Sequence, residues 1–218
     1  MELQENQMEK DSIEYKINFD SVLYDEKNAK RIIKKLAKLR KRADFLKKHL
    51  KIYVENREIQ DLHHIEDKYE FYICTAINAV QIDDKKERCN FLYDEICYFL
   101  DHVCISNNLC DFKDDKCFVK RNTDVTMGCC HHYPNKRLGI FYQKKMVQCE
   151  YLGKKGCTTK AIGCKLYMCP QVNKKGFRFT VYNVLLIRYF FNFFQKIIII
   201  SGIFDTKENI MKRLLMFN

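Results

Sequence analysis

Between Cys110 and Cys169 the chain carries eight of its twelve cysteines in sixty residues, with no helical or strand periodicity to organise them. They are Cys110, Cys117, Cys129, Cys130, Cys149, Cys157, Cys164 and Cys169. Asn, Asp, Lys and five of the seven glycines fill the surrounding stretch, 106–170. A loop region of that length does not order itself inside a compact domain without a device to hold it. Thiolate ligation is such a device, because a structural zinc site contributes ~10–16 kcal/mol of apparent binding free energy, as much as a whole domain's net stability. Eight sulfurs are enough for two four-coordinate zinc sites or two iron–sulfur clusters.

The thiols must be reduced for this to hold. The first ten residues, Met1 to Lys10, are polar, carry both charge signs and lack the apolar core of a secretory signal. The expected location is therefore cytoplasmic, where disulfides rarely persist and clustered cysteines more often bind metal.

The spacings are Cys110-x6-Cys117, then Cys129-Cys130, then Cys149-x7-Cys157-x6-Cys164-x4-Cys169. None is the tight Cys-x2-Cys knuckle of zinc ribbons, nor the close-set run of bacterial ferredoxins. Adjacent side chains of an extended chain leave on opposite sides. Cys129 and Cys130 thus suit two neighbouring sites, or one ligand beside one uncoordinated thiol. His131 and His132 follow directly as candidate nitrogen ligands. Thiolate ligation is compatible with zinc and with iron–sulfur clusters, and the wide, irregular spacing favours the cluster. Lys154, Lys155, Lys160 and Lys165 interleave the thiols and would offset their negative charge.

Gly128-Cys129-Cys130, Cys149-Glu150-Tyr151-Leu152, Gly156-Cys157, Cys164 and Cys169 together resemble the bacterial cysteine-cluster family described as zinc- or iron-chelating (YkgJ-like). The flanks resemble cysteine-rich proteins of low-GC bacteria. The order and approximate distances match over Gly128–Cys169, about a fifth of the chain. The family's leading Cys-x2-Cys is replaced by the wider pair Cys110 and Cys117. Its Arg-Pro before the late cysteines is replaced by Ala161-Ile162-Gly163. The resemblance implies metal chelation and, through some relatives, methyl-transfer or redox chemistry. The residues themselves carry no phosphate loop, HExxH or nucleophile elbow.

Charge is as localised as sulfur. Residues 27–51 hold twelve Lys or Arg and one acid, Asp44, so the net +11 of the chain sits in this segment. Ile32, Leu36, Leu39, Ala43, Leu46, Leu50 and Tyr53 step by three and four through it, predicting one helix over 26–55 whose stripe needs a covering partner. The bases on its other faces offer a surface for nucleic acid or an acidic protein, or else a merely solvated face.

Further helices are expected at 59–82 and 85–105, with Cys74, Cys89, Cys97 and Cys104 as small hydrophobic core residues. The apolar run 178–204 is long enough to span a bilayer, but Arg188, Asn192, Gln195 and Lys196 interrupt it. No membrane span is expected there; a buried helix with one wet edge is, followed by a final helix capped by Asp205 with Glu208. The expected organisation is a flexible tail at 1–20, a basic helical region at 21–105, a Cys-rich metal-binding region at 106–177 and apolar helices packing on the core at 178–218. The fold class is mainly α, a helical hairpin or bundle around the Cys-rich region.

Overall fold

The computed structural model describes residues 12–19, 22–56, 61–107, 109, 161–166, 173, 175–203 and 205–217, together with the backbone pairing of six two-residue strands between 112 and 157. Among these residues the protein is mainly helical, with seven α-helices and one small parallel sheet. The chain forms two compact units, Met1–Glu95 with Leu185–Asn192, and Ile96–Val184 with Phe193–Asn218.

The first unit opens with strand β1 (Ser12–Asn18), inside the stretch expected to be a flexible tail. Residues 1–11 lie outside the described part. Helix α1 (Glu26–Leu46) then crosses back to strand β2 (His49–Glu55), which pairs in parallel with β1. Both strands alternate apolar and polar residues, and the register aligns the two patterns. Ile13 faces Leu50, Tyr15 faces Ile52 and Ile17 faces Val54 on one side. On the other side Glu14 accepts a 3.2 Å hydrogen bond from the Tyr53 hydroxyl, and Lys16 lies 3.8 Å from Glu55. Slipping the register by one residue would turn the apolar set into water.

Helix α1 starts on Asp25, whose carboxylate accepts from the Asn28 amide at 2.7 Å. It stops at Lys47, which adopts a left-handed conformation (φ 54°) and returns its N–H to the carbonyls of Ala43 and Asp44. The single helix expected over 26–55 is therefore a helix, a turn and a strand. The period-two pattern of His49–Glu55, with β-branched Ile52 and Val54, prevails over the heptad spacing that included Leu50 and Tyr53. The buried face is also rotated from the expected stripe and comprises Ala29, Ile33, Leu36, Ala37, Arg40 and Ala43. Its cover is not one hairpin partner but helix α2 (Lys68–Gln81), strand β2 and helix α5 (Leu185–Phe190).

Helix α2 is capped by Asp67, which accepts from the amides of Tyr69 and Glu70, both at 2.8 Å. It begins later than expected, after a short 3-10 turn at Leu62–His64. Phe71 through Ile77 are buried without a break, so α2 is the central helix of this unit. Helix α3 (Lys85–Ser106) begins with Asp84 accepting from the Glu87 amide at 2.7 Å and matches the expected span.

The second unit contains three antiparallel ribbons. They are β3 (Phe112–Lys113) with β4 (Lys116–Cys117), β5 (His131–His132) with β6 (Val147–Gln148), and β7 (Leu152–Gly153) with β8 (Gly156–Cys157). It also contains the short helix α4 (Ile162–Leu166) and helices α6 (Phe193–Ser201) and α7 (Lys207–Leu215).

The apolar run expected as one helix is broken between α5 and α6 at Phe191–Asn192. Among the described residues no helix is long and apolar enough to cross a membrane. Gln195, expected on a wet edge, is buried and donates to the Leu214 carbonyl at 3.2 Å, tying α6 to α7. Outward on α6 and the end of α7 stand Phe193, Phe194, Ile197, Ile200, Met216 and Phe217, with Phe194 stacked on Phe217 at 5.5 Å. The cap of α7 is Thr206, not Asp205: the Thr206 hydroxyl accepts from the Asn209 amide, while Asp205 pairs with Arg213.

Candidate metal-ligating region and basic face

Cys164 is the one proposed ligand whose side chain is described, and it is 5% exposed on α4. Its surroundings are fixed from both sides. A Cβ on the preceding Gly163 would overlap the carbonyl oxygen of Ile199 and lie 3.2 Å from the Gly202 carbonyl carbon. Only glycine allows α4 to approach α6 this closely. The following Lys165 is nearly buried and ion-paired with Asp101 of α3. Lys165, one of the lysines expected to offset thiolate charge, thus has its ammonium on Asp101. Asp101 lies four residues after Cys97 and three before Cys104, so all three share one side of α3. Cys74, Cys89 and Cys97 are buried and Cys104 is half-buried, in line with their apolar neighbours.

Cys117 and Cys157 have described backbone pairing, opposite Phe112 and Leu152 respectively. In the middle ribbon His131 pairs with Gln148 and His132 with Val147. Cys110, Cys129, Cys130, Cys149 and Cys169, with the side chains of Cys117, Cys157, His131 and His132, lie outside the described residues. Among the described residues, no group of three or more His, Cys, Asp or Glu is placed to hold a metal ion.

In the first unit, composition alone missed a buried ion network. Arg40, counted with the outer bases, is 4% exposed. Its guanidinium donates to Asp44 at 2.9 Å, to Asp83 at 2.7 Å, and to the carbonyls of Val80 and Lys48, both at 3.2 Å. Arg88 completes the set, reaching Asp44 at 2.7 Å and the Ile82 carbonyl at 2.6 Å. Burial depresses the pKa of the Arg88 guanidinium, and Asp44 opposes that effect. Burial raises the pKa of Asp83, but hydrogen bonds from His49 and Arg40 outweigh it and hold the carboxyl below its ordinary range. The signal available in sequence was Asp44 itself, the only acid in the segment and four residues after Arg40. Elsewhere in the unit, burial pushes the Glu95 carboxyl above its ordinary range, with His63 Nε2 at 3.4 Å opposing the shift.

With Asp44 turned inward, the outer face of α1 is uniformly basic. Lys27, Arg31, Lys34, Lys38, Lys41 and Arg42 are all exposed. Lys30 is drawn to Glu26, and Lys35 sits 4.2 Å over the Tyr15 ring. Phe45 ends this face at 86% exposure.

No family model, curated protein or solved structure matches the chain.

Proposed function

We propose that the chain is a cysteine-ligated metal-binding protein of a reducing compartment. It holds an iron–sulfur cluster, or alternatively zinc, through Cys110, Cys117, Cys129, Cys130, Cys149, Cys157, Cys164 and Cys169. The observation that carries this reading is the density of thiols: eight cysteines fall between residues 110 and 169, a stretch with no helical or strand periodicity of its own. Metal ligation by those thiols would supply the free energy that orders such a stretch.

The buried, rigidly seated Cys164 also supports the reading, since a structural ligand works best when its backbone is held before metal arrives. The donor set is soft sulfur throughout, which suits iron–sulfur clusters and zinc and disfavours magnesium or calcium. When bound, such a centre contributes folding free energy and, as a cluster, one-electron chemistry.

The test is metal and sulfide analysis of the full chain purified without oxygen, with its visible absorption. Iron with acid-labile sulfide and broad visible bands identifies a cluster, and zinc in a colourless protein identifies the alternative. Fully reduced thiols with no stoichiometric metal would overturn the proposal.

A further inference from the structure

We infer that the outer face of α1 is a binding surface for the phosphate backbone of nucleic acid, with Phe45 as a stacking platform at its end. The inference stands on the first unit and is independent of any metal. Lys27, Arg31, Lys34, Lys38, Lys41, Arg42 and Phe45 recur at three- and four-residue steps and lie on one side of the helix. At a rise of 1.5 Å per residue the stripe is about 27 Å long, with a cation every 4–5 Å on average. Duplex DNA carries one phosphate per about 3.4 Å of each strand, so a rod of this spacing can neutralise several in succession.

Three features separate this face from an ordinary solvated one. The only acid between residues 27 and 51, Asp44, is held inside by Arg40 and Arg88 and cannot compensate the outer bases. Among the described residues no ion pair engages the six stripe cations, and Arg31 makes only a 3.5 Å contact to Asn28. An aromatic ring at 86% exposure closes the stripe where a solvated face would carry a polar residue.

Nucleic acid fits better than the other anionic partners. An acidic protein interface needs apolar anchors seated in pockets, whereas Phe45 stands open, as a base-stacking ring does. A lipid surface needs an apolar face beside the bases, and the apolar side of α1 is spent on the core.

The experiment is fluorescence anisotropy of the full chain with a labelled oligothymidylate longer than site sizes of about 4–16 nucleotides. Six phosphate contacts at about 0.7 counterions each predict a log–log salt slope near −4, or about 300-fold weakening between about 50 and 200 mM salt. In the triple variant Lys34→Gln, Lys38→Gln, Lys41→Gln the slope falls to about −2, or about 20-fold weakening over the same range. Phe45→Ala weakens binding about fivefold or more with the slope unchanged. The charge-matched control Lys85→Gln, Lys86→Gln, Lys212→Gln, at exposed sites on other helices, binds as the parent does. Equal losses in control and stripe variants would overturn the inference, as would an unchanged slope in the stripe variant. Tighter binding to polyglutamate, or binding to phosphatidylserine vesicles without binding to the oligonucleotide, would overturn it as well.

Discussion

Replacing Asp44 by alanine tests the buried ion network most directly. The carboxylate accepts from Arg40 at 2.9 Å and from Arg88 at 2.7 Å, and the two guanidinium side chains are 5% and 10% exposed. The substitution removes a small, 18% exposed side chain and little apolar contact, so its effect is electrostatic. Arg88 loses its nearest anion, and Arg40 keeps only Asp83, which is 44% exposed and shared with His49. Leaving a buried charge unpaired costs about 3–5 kcal/mol. With a urea slope of about 2 kcal/mol per molar, the unfolding midpoint falls by about 1.5–2.5 M. Helical circular dichroism during urea titration measures it. Asp83→Asn, which removes a more exposed charge, should shift the midpoint by well under half as much. Replacing Arg40, Asp44 and Arg88 together by apolar residues of similar size should recover most of the loss, because no charge is then stranded. A midpoint shift below about 0.5 M for Asp44→Ala would show that these groups are effectively in water, and would refute the argument.

Gly163→Ala should lower the melting temperature of the protein, at about 1–3 kcal/mol for an overpacked helix crossing, because the new methyl meets backbone and no flexible side chain. Cys164→Ser should reduce bound metal per chain measured by elemental analysis, whereas Cys89→Ser, buried on α3, should leave it unchanged. Acid titration of stability should show two opposing contributions. Asp83, depressed in the folded state, supplies stability present above the ordinary Asp pKa and lost as pH falls through its folded value. Glu95, raised in the folded state, opposes folding above its folded pKa and ceases to do so as pH falls through it. Urea midpoints of Glu95→Gln against pH should therefore lack a gain on mild acidification that the parent shows.

Much of the helical scaffold could be read in the chain because its signals were local. Helix α3 emerged at nearly its observed bounds, and α1 began where Asp25 caps it. What failed depended on distant partners. Leu50 fits both the heptad that includes Tyr53 and the alternation with Ile52 and Val54, and in the structure it pairs with Ile13 as part of the strand. Arg40 looked like its neighbours until Asp83 and the Val80 carbonyl, some forty residues away, supplied the acceptors that permit its burial. The break at Phe191–Asn192 falls in an apolar run where Asn192 is only one of four polar interruptions, so composition does not single it out. The thiols were conspicuous by density, but spacing does not encode the ribbon register that sets Cys117 opposite Phe112 and Cys157 opposite Leu152.

The parallel pairing of β1 with β2 also sets an order of events during synthesis. Ser12 meets His49, thirty-seven positions later, so the first strand cannot make this pairing until the second leaves the ribosome. Helix α1 needs only nearby residues and can wind in about a microsecond, drawing a long tether into a rod of about 31 Å. The nascent chain thus carries a cationic rod before it carries a sheet. Its apolar side waits for α2, which lies further along the chain, to cover it.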